Sequence, residues 1–155
     1  MFVLFKYLHV LTMFAAVAAA FVPEIWLHII ARRGDVAALR GYLPLTAQVG
    51  RIIPVIFVAG LVFGLLAAWA GELDFFQPWL IGAYIIFAIA MATGGLVGGP
   101  WAVRMAEAAG ESPTDAPSPA LRAAIHDQRG VISTTILMLS IIVIVFLMVA
   151  KPGAA

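Results

Sequence analysis

The chain has 155 residues, 64% of them hydrophobic and 11% charged, with a mean hydropathy of +1.08 and a formal charge of +1. Soluble domains hold roughly half apolar and a quarter charged residues, so composition excludes a water-soluble globule. The absence of cysteine excludes disulfides, thiolate catalysis, iron–sulfur ligation and thiolate haem ligation, and there is no basic patch for nucleic acid.

Four apolar runs, at approximately 7–29, 52–70, 79–100 and 131–150, are each near the ~20 helical residues that cross a bilayer. They lack strand alternation, and in hydrocarbon every backbone polar group must be paired within its own segment, so all four are expected to be helices. The expected fold is all-α: a polytopic membrane protein in which one four-helix bundle occupies residues 1–155 as a single domain. No room is left for a separate catalytic domain.

The first span, "FKYLHVLTMFAAVAAAFVPEIWLHII", carries Lys6, His9, Glu24 and His28 among apolar residues. Its "AAVAAA" resembles a signal-peptidase site, but the segment before it is poor in positive charge, so the expectation is an uncleaved span. At ~100° per residue, His9, Glu24 and His28 fall within an arc of ~100°, the bundle-facing side. Ionisable groups inside a membrane are functional candidates by default. His9 and His28 are ~28 Å apart along the axis and cannot share one iron. His9, with Lys6 one turn away, can supply an imidazole axial ligand and a cation for a propionate of b-type haem. The alternative is a histidine bonded to a neighbouring helix, with Lys6 reaching the headgroups. Glu24 and His28, spaced i,i+4, are expected at the depth of His126 and Asp127, where Glu24, His28 and His126 can form a metal site. An interfacial ion pair is the plainer reading.

Asp35 is a fitting N-cap after the first span, and Pro44 can open a helix running into the second, where Pro54 is expected to kink it. Gly60 and Gly64 form a G-x-x-x-G pair in span 2. "GGLVGG" in span 3 holds two more, Gly94 with Gly98 and Gly95 with Gly99. Such strips let helix backbones approach closely, within the chain or against a partner helix or flat cofactor. Ser118 and Pro119 form a cap and first-turn pair for a helix expected to continue into span 4. In that span Ser133, Thr134, Thr135 and Ser140 are expected to bond backwards along their helix or across to a neighbour.

The connections after spans 1 and 3 carry seven arginines, while the opposite side carries only Lys6 and Lys151. The positive-inside rule then places both termini outside the cytoplasm. Trp69 and Trp79 are expected at the outer interface and Trp26 and Trp101 at the inner one.

The opening "FKYLHVL", a proline early in span 2 and the ending "LMVAKP" resemble an uncharacterised bacterial family of small four-helix integral membrane proteins, defined only as a domain of unknown function. More distantly, the Lys-x-x-His opening and Lys-Pro ending resemble HemJ-type protoporphyrinogen oxidases, and the histidine-bearing first span resembles copper-resistance D-type membrane proteins. The HemJ resemblance implies His9 as a haem ligand, with Lys6 and Lys151 beside it, and a membrane oxidoreductase activity. Where that family has an arginine after its proline, this chain has Glu24. Three functions follow as expectations: haem b bound through His9 for electron or porphyrin handling, a cofactor-free accessory subunit docking other membrane subunits or a second copy, and metal or small-solute transport. All three act in the lipid bilayer, with the bacterial cytoplasmic membrane as the expected location.

Overall fold

The computed structural model describes residues 1–153. Its elements are α1 (Phe2–Arg33), α2 (Val36–Ala70), α3 (Pro78–Thr93), a π-helical turn (Gly94–Gly98), α4 (Gly99–Glu111), α5 (Pro119–Ile125) and α6 (Gln128–Ala150). Four helical segments are long and apolar enough to cross a membrane, and among the described residues there is no strand.

Local chemistry sets the turns. Gly34 takes the left-handed conformation (φ 68°) that ends α1, and its N–H bonds Ala31 O at 3.0 Å. Asp35 follows at once, its carboxylate accepting from Ala38 N at 2.9 Å to cap α2. A two-residue connection leaves α2 no course but back along α1. Small residues on α2 and at its C-cap face large ones on α1: Gly60 meets Met13, Gly64 meets His9 and Gly71 meets Phe2. The second hairpin repeats the device, with Gly82 against Leu147, Gly94 against Leu137 and Gly98 against Ser133. The start of α1, the end of α6 and the 71–77 turn therefore lie at one end, here the terminal end, and the long connections at the other, the loop-bearing end.

The core is not at mid-membrane. Leu27, Ala31, Val36, Leu39, Leu43, Trp101, Met105, Ala108, Ala109 and Leu121 form one buried cluster at the loop-bearing end. With 32 and 35 residues, α1 and α2 are ~48 and ~52 Å long, against a hydrocarbon thickness of ~30 Å. The surplus builds a helical cap with α4 and α5. Arg40 ties it shut, donating from Nε to Ala109 O (2.8 Å) and from its terminal nitrogen to Gly110 O (2.9 Å) and Ser112 O. These carbonyls end α4 and have no partner in their own helix. Elsewhere large apolar side chains such as Phe14, Val55, Ile85 and Phe146 are exposed, the surface that meets lipid.

Several expectations change. The helices overrun the expected spans, because their ends pack in the cap and are not limited by bilayer thickness. Span 3 is not one regular helix: the Gly99 N–H reaches back to Gly94 O, five residues away. The helix expected from Pro119 onward is interrupted at His126–Asp127, where the Asp127 carboxylate accepts from Arg129 N at 3.0 Å and caps a new helix. Trp79 and Trp101 are buried at 4% and 2% exposure and are not interfacial anchors, whereas Trp26 and Trp69 are exposed. An indole in the core needs its N–H bonded internally. Trp101 Nε1 donates to Ala124 O at 3.0 Å, and Trp79 Nε1 donates to Gln77 Oε1.

Candidate functional site between α1 and α6

Helices α1 and α6 belong to different hairpins and touch little along their length. What joins them is polar. Thr134 of α6 lies with Oγ1 2.7 Å from Glu24 Oε1 and 3.1 Å from His28 Nε2, both on α1. Gly130 O lies 3.0 Å from the same hydroxyl. Glu24 and His28, one turn apart, are 3.7 Å from each other.

Counting protons defines the possible states, since a threonine hydroxyl has one hydrogen and two lone pairs. When Glu24 is ionised, Thr134 donates to it and accepts from His28 Nε2–H. When Glu24 is protonated, it donates to Thr134, which then donates to Gly130 O. Gain or loss of one proton at Glu24, with one rotation of the hydroxyl, links the two arrangements. His28 is held in orientation by Trp101, whose ring stacks on it at 5.4 Å and 25°. Trp101 in turn occupies the space opened by Gly130, where any β-carbon would collide with the indole.

A crevice of about 260 Å³ opens beside this group, lined by Ile25, His28, Ile29, Arg32, Val131, Thr134 and Thr135. Glu24, His28 and Arg32 are spaced i, i+4, i+8 and share one face of α1. The order runs from carboxylate at the membrane side to guanidinium at the loop-bearing end. On the neighbouring helix, Tyr42 donates its hydroxyl to Pro23 O at 3.0 Å.

Of the expected metal ligands, Glu24 and His28 do meet, but His126 does not join them. It is exposed, with Nδ1 2.8 Å from Arg122 O. Asp127 pairs with Arg104 at 3.1 Å. Among the described residues no three His, Cys, Asp or Glu side chains converge as a metal would require. The three-residue metal site is therefore corrected to a two-residue pair completed by a threonine, because the helix break at His126–Asp127 turns the histidine ring back onto its own helix. Sequence reasoning expected Thr134 to bond backwards along its helix or across to a neighbour, and both partners, Gly130 O and Glu24, lie within reach. Its bond to Glu24 spans 110 residues.

His9 occupies the other end of α1. Its Nδ1 lies 2.7 Å from Gly60 O and so must carry a proton, since a carbonyl only accepts. The ring lies over Gly64. Lys6 Nζ lies over the Phe2 ring (5.8 Å to the centroid) and Lys151 Nζ over Trp79 (5.6 Å). Gly60 and Gly64 thus seat α1, and Gly94 and Gly98 seat α6. Gly95 has nothing within 4 Å of its β-carbon position, and Gly99 meets only the carbonyl of Gly94. The stretch between the two ends of α1 has one hydroxyl, Thr12, which bonds its own helix at Leu8 O, so no polar path connects His9 to Glu24 along it. Tyr84 Oη, in α3, is buried without a hydrogen-bond partner among the described residues.

No curated protein and no solved structure gives a significant match to the chain. The model of one family, described as "Predicted integral membrane protein (DUF2269)", matches residues 3–152. With four membrane-length apolar helices spread over nearly that whole stretch, the chain belongs to this family.

Proposed function

We propose that the protein binds a small polar solute in the α1–α6 crevice and exchanges a proton with it through His28, Thr134 and Glu24. The observation that carries this reading is the three-residue hydrogen-bonded link between two helices that otherwise barely meet, opening directly on the crevice. In a bundle packed for stability alone, apolar residues would serve this contact better, since a polar group taken from water costs free energy unless fully bonded. Arg32 offers guanidinium donors to the solute, which suits a carboxylate or another small acceptor, whereas the hydrogens of Thr134 and Thr135 are already given to Glu24 and to Val131 O. Under the positive-inside rule the arginine-rich end faces the cytoplasm, so the crevice opens to that side.

The test compares wild type and Thr134→Val in bicelles, following the Glu24 carboxyl stretch by infrared spectroscopy and the His28 ring by NMR. Thr134→Val removes the hydroxyl that both groups share while leaving them 3.7 Å apart, and is expected to shift both signals. Unchanged Glu24 and His28 signals in Thr134→Val would overturn the shared-hydroxyl reading.

A haem reading of His9 stands second. Its support is the Nδ1–H bond to Gly60 O, which leaves the Nε2 lone pair available in the neutral ring. Against it, the Cε1 edge beside Nε2 lies on the Gly64 backbone, so a macrocycle centred there has to displace α2. The residues present therefore do not form a ready haem cradle. Oxidised and dithionite-reduced spectra of wild type and His9→Ala decide this reading.

A further inference from the structure

A second crevice, of about 300 Å³, lies where the π-helical turn and α4 pass the start of α6. It is lined by Leu96, Val97 and Pro100 along one wall and by Arg104 and Arg129 at one end. From Leu96 to Arg104 is ~12 Å of helix. The wall thus runs from a lipid-facing side chain to a guanidinium at the loop-bearing cap.

The charges beside it do not cancel. Asp127 is fully engaged: one oxygen accepts from Arg129 N and the other from Arg104. The Arg129 guanidinium has no carboxylate within 4 Å among the described residues. Two guanidiniums against one carboxylate leave a local charge of +1, beside an apolar wall long enough for the first part of an acyl chain. The neighbouring Gly95 is uncovered, which keeps the adjoining surface of the π-helical turn flat.

We propose that this crevice holds one anionic phospholipid, its phosphate against Arg129 and Arg104 and its acyl chain along Pro100, Val97 and Leu96. The shared chemistry is a phosphate monoanion received by guanidinium donors, which can bond two phosphate oxygens at once. The apolar wall selects the lipid form over the free ion. This site is independent of the α1–α6 crevice.

The experiment is native mass spectrometry of the full chain, purified in detergent and offered phosphatidylglycerol or phosphatidylcholine. Wild type is expected to retain one phosphatidylglycerol in preference to phosphatidylcholine. Arg129→Gln is expected to weaken that retention about fivefold, the worth of one arginine near an anionic surface. Arg51→Gln, on exposed α2, is expected to leave it unchanged. Unaltered melting of Arg129→Gln shows that the loss is not unfolding. If instead the variant melts lower, Leu96→Asp, at a site 78% exposed, is expected to expel the acyl chain. Equal loss in Arg51→Gln, or displacement of the lipid by inorganic phosphate at matched concentration, would overturn the proposal in favour of diffuse charge or free-anion binding.

Discussion

Replacing Gly64 by alanine sets two effects of opposite sign against each other. Alanine is the better helix former by ~0.8–1 kcal/mol, so in an open position the substitution stabilises. At position 64 the new β-carbon would sit 2.8 Å from His9 Nδ1 and 2.9 Å from Cε1, where ordinary contacts begin at 3.4 Å. The ring has to recede by about 0.6 Å. Its 2.7 Å bond to Gly60 O then stretches to ~3.3 Å, past the usual range. Overpacking costs ~1–3 kcal/mol, and loss of an interhelical bond in a membrane protein costs ~0.6–1.5 kcal/mol. The net expectation is destabilisation by about 1–3 kcal/mol. Reversible unfolding by SDS titration in bicelles measures it, with two comparisons. Gly41→Ala, on the same helix with nothing within 4 Å, is expected to gain close to 1 kcal/mol. In a His9→Ala background, the Gly64→Ala penalty is expected to vanish, because the obstructing ring is gone. A Gly64→Ala protein as stable as wild type, or a penalty unchanged without the His9 ring, would refute the close-approach account of the α1–α2 hairpin.

Trp101→Ala removes the largest fully buried side chain of the cap and the indole's hydrogen bond to Ala124 O. It is expected to cost ~3–5 kcal/mol in the same assay and to release the His28 ring, read as narrowing of its NMR line, whereas exposed Trp26 is expected to tolerate alanine. Arg40→Met strips the guanidinium from the last carbonyls of α4 and is expected to cost ~1–2 kcal/mol. Amide exchange confined to residues 108–118 should accelerate, and unchanged exchange there would sink the capping role.

The spans, the Asp35 and Ser118 caps, and the Gly60–Gly64 and Gly94–Gly98 pairs were legible because each depends on local pattern: apolar run length, a capping side chain, or small residues four apart. Ser118 does accept from Leu121 N, at 3.1 Å. What local pattern could not settle was the choice among partners far along the chain. An indole is satisfied equally by headgroups or by an internal carbonyl, and only the space above Gly130 draws Trp101 inward. A threonine in an apolar helix bonds its own turn in isolation, and its second partner appears only once α1 is folded beside it. The π-helical turn was hidden for the same reason. A glycine run suits a regular helix as well as a wide one, and the difference rests on how α3 and α4 meet different neighbours. For the site, Glu24 and His28 were visible from their spacing, while His126 was misplaced because the cap that breaks α5 from α6 was read as continuous helix.

That wide turn makes the third segment a shaft with a coupling in it. A residue added within one turn shifts the angular phase of everything beyond it by ~100°. The membrane portion is thereby keyed to α6 through Gly94 and Gly98, while the cap portion is keyed to α1 and α2 through Trp101 and Met105. If the surplus residue moved along the shaft, α4 would turn without α3 turning. Trp101 would then leave His28, and the ring that lines the polar crevice would lose its stacking partner. Leu96 and Val97 of the turn itself line the second crevice, so a ligand seated there would act as a stop on that rotation.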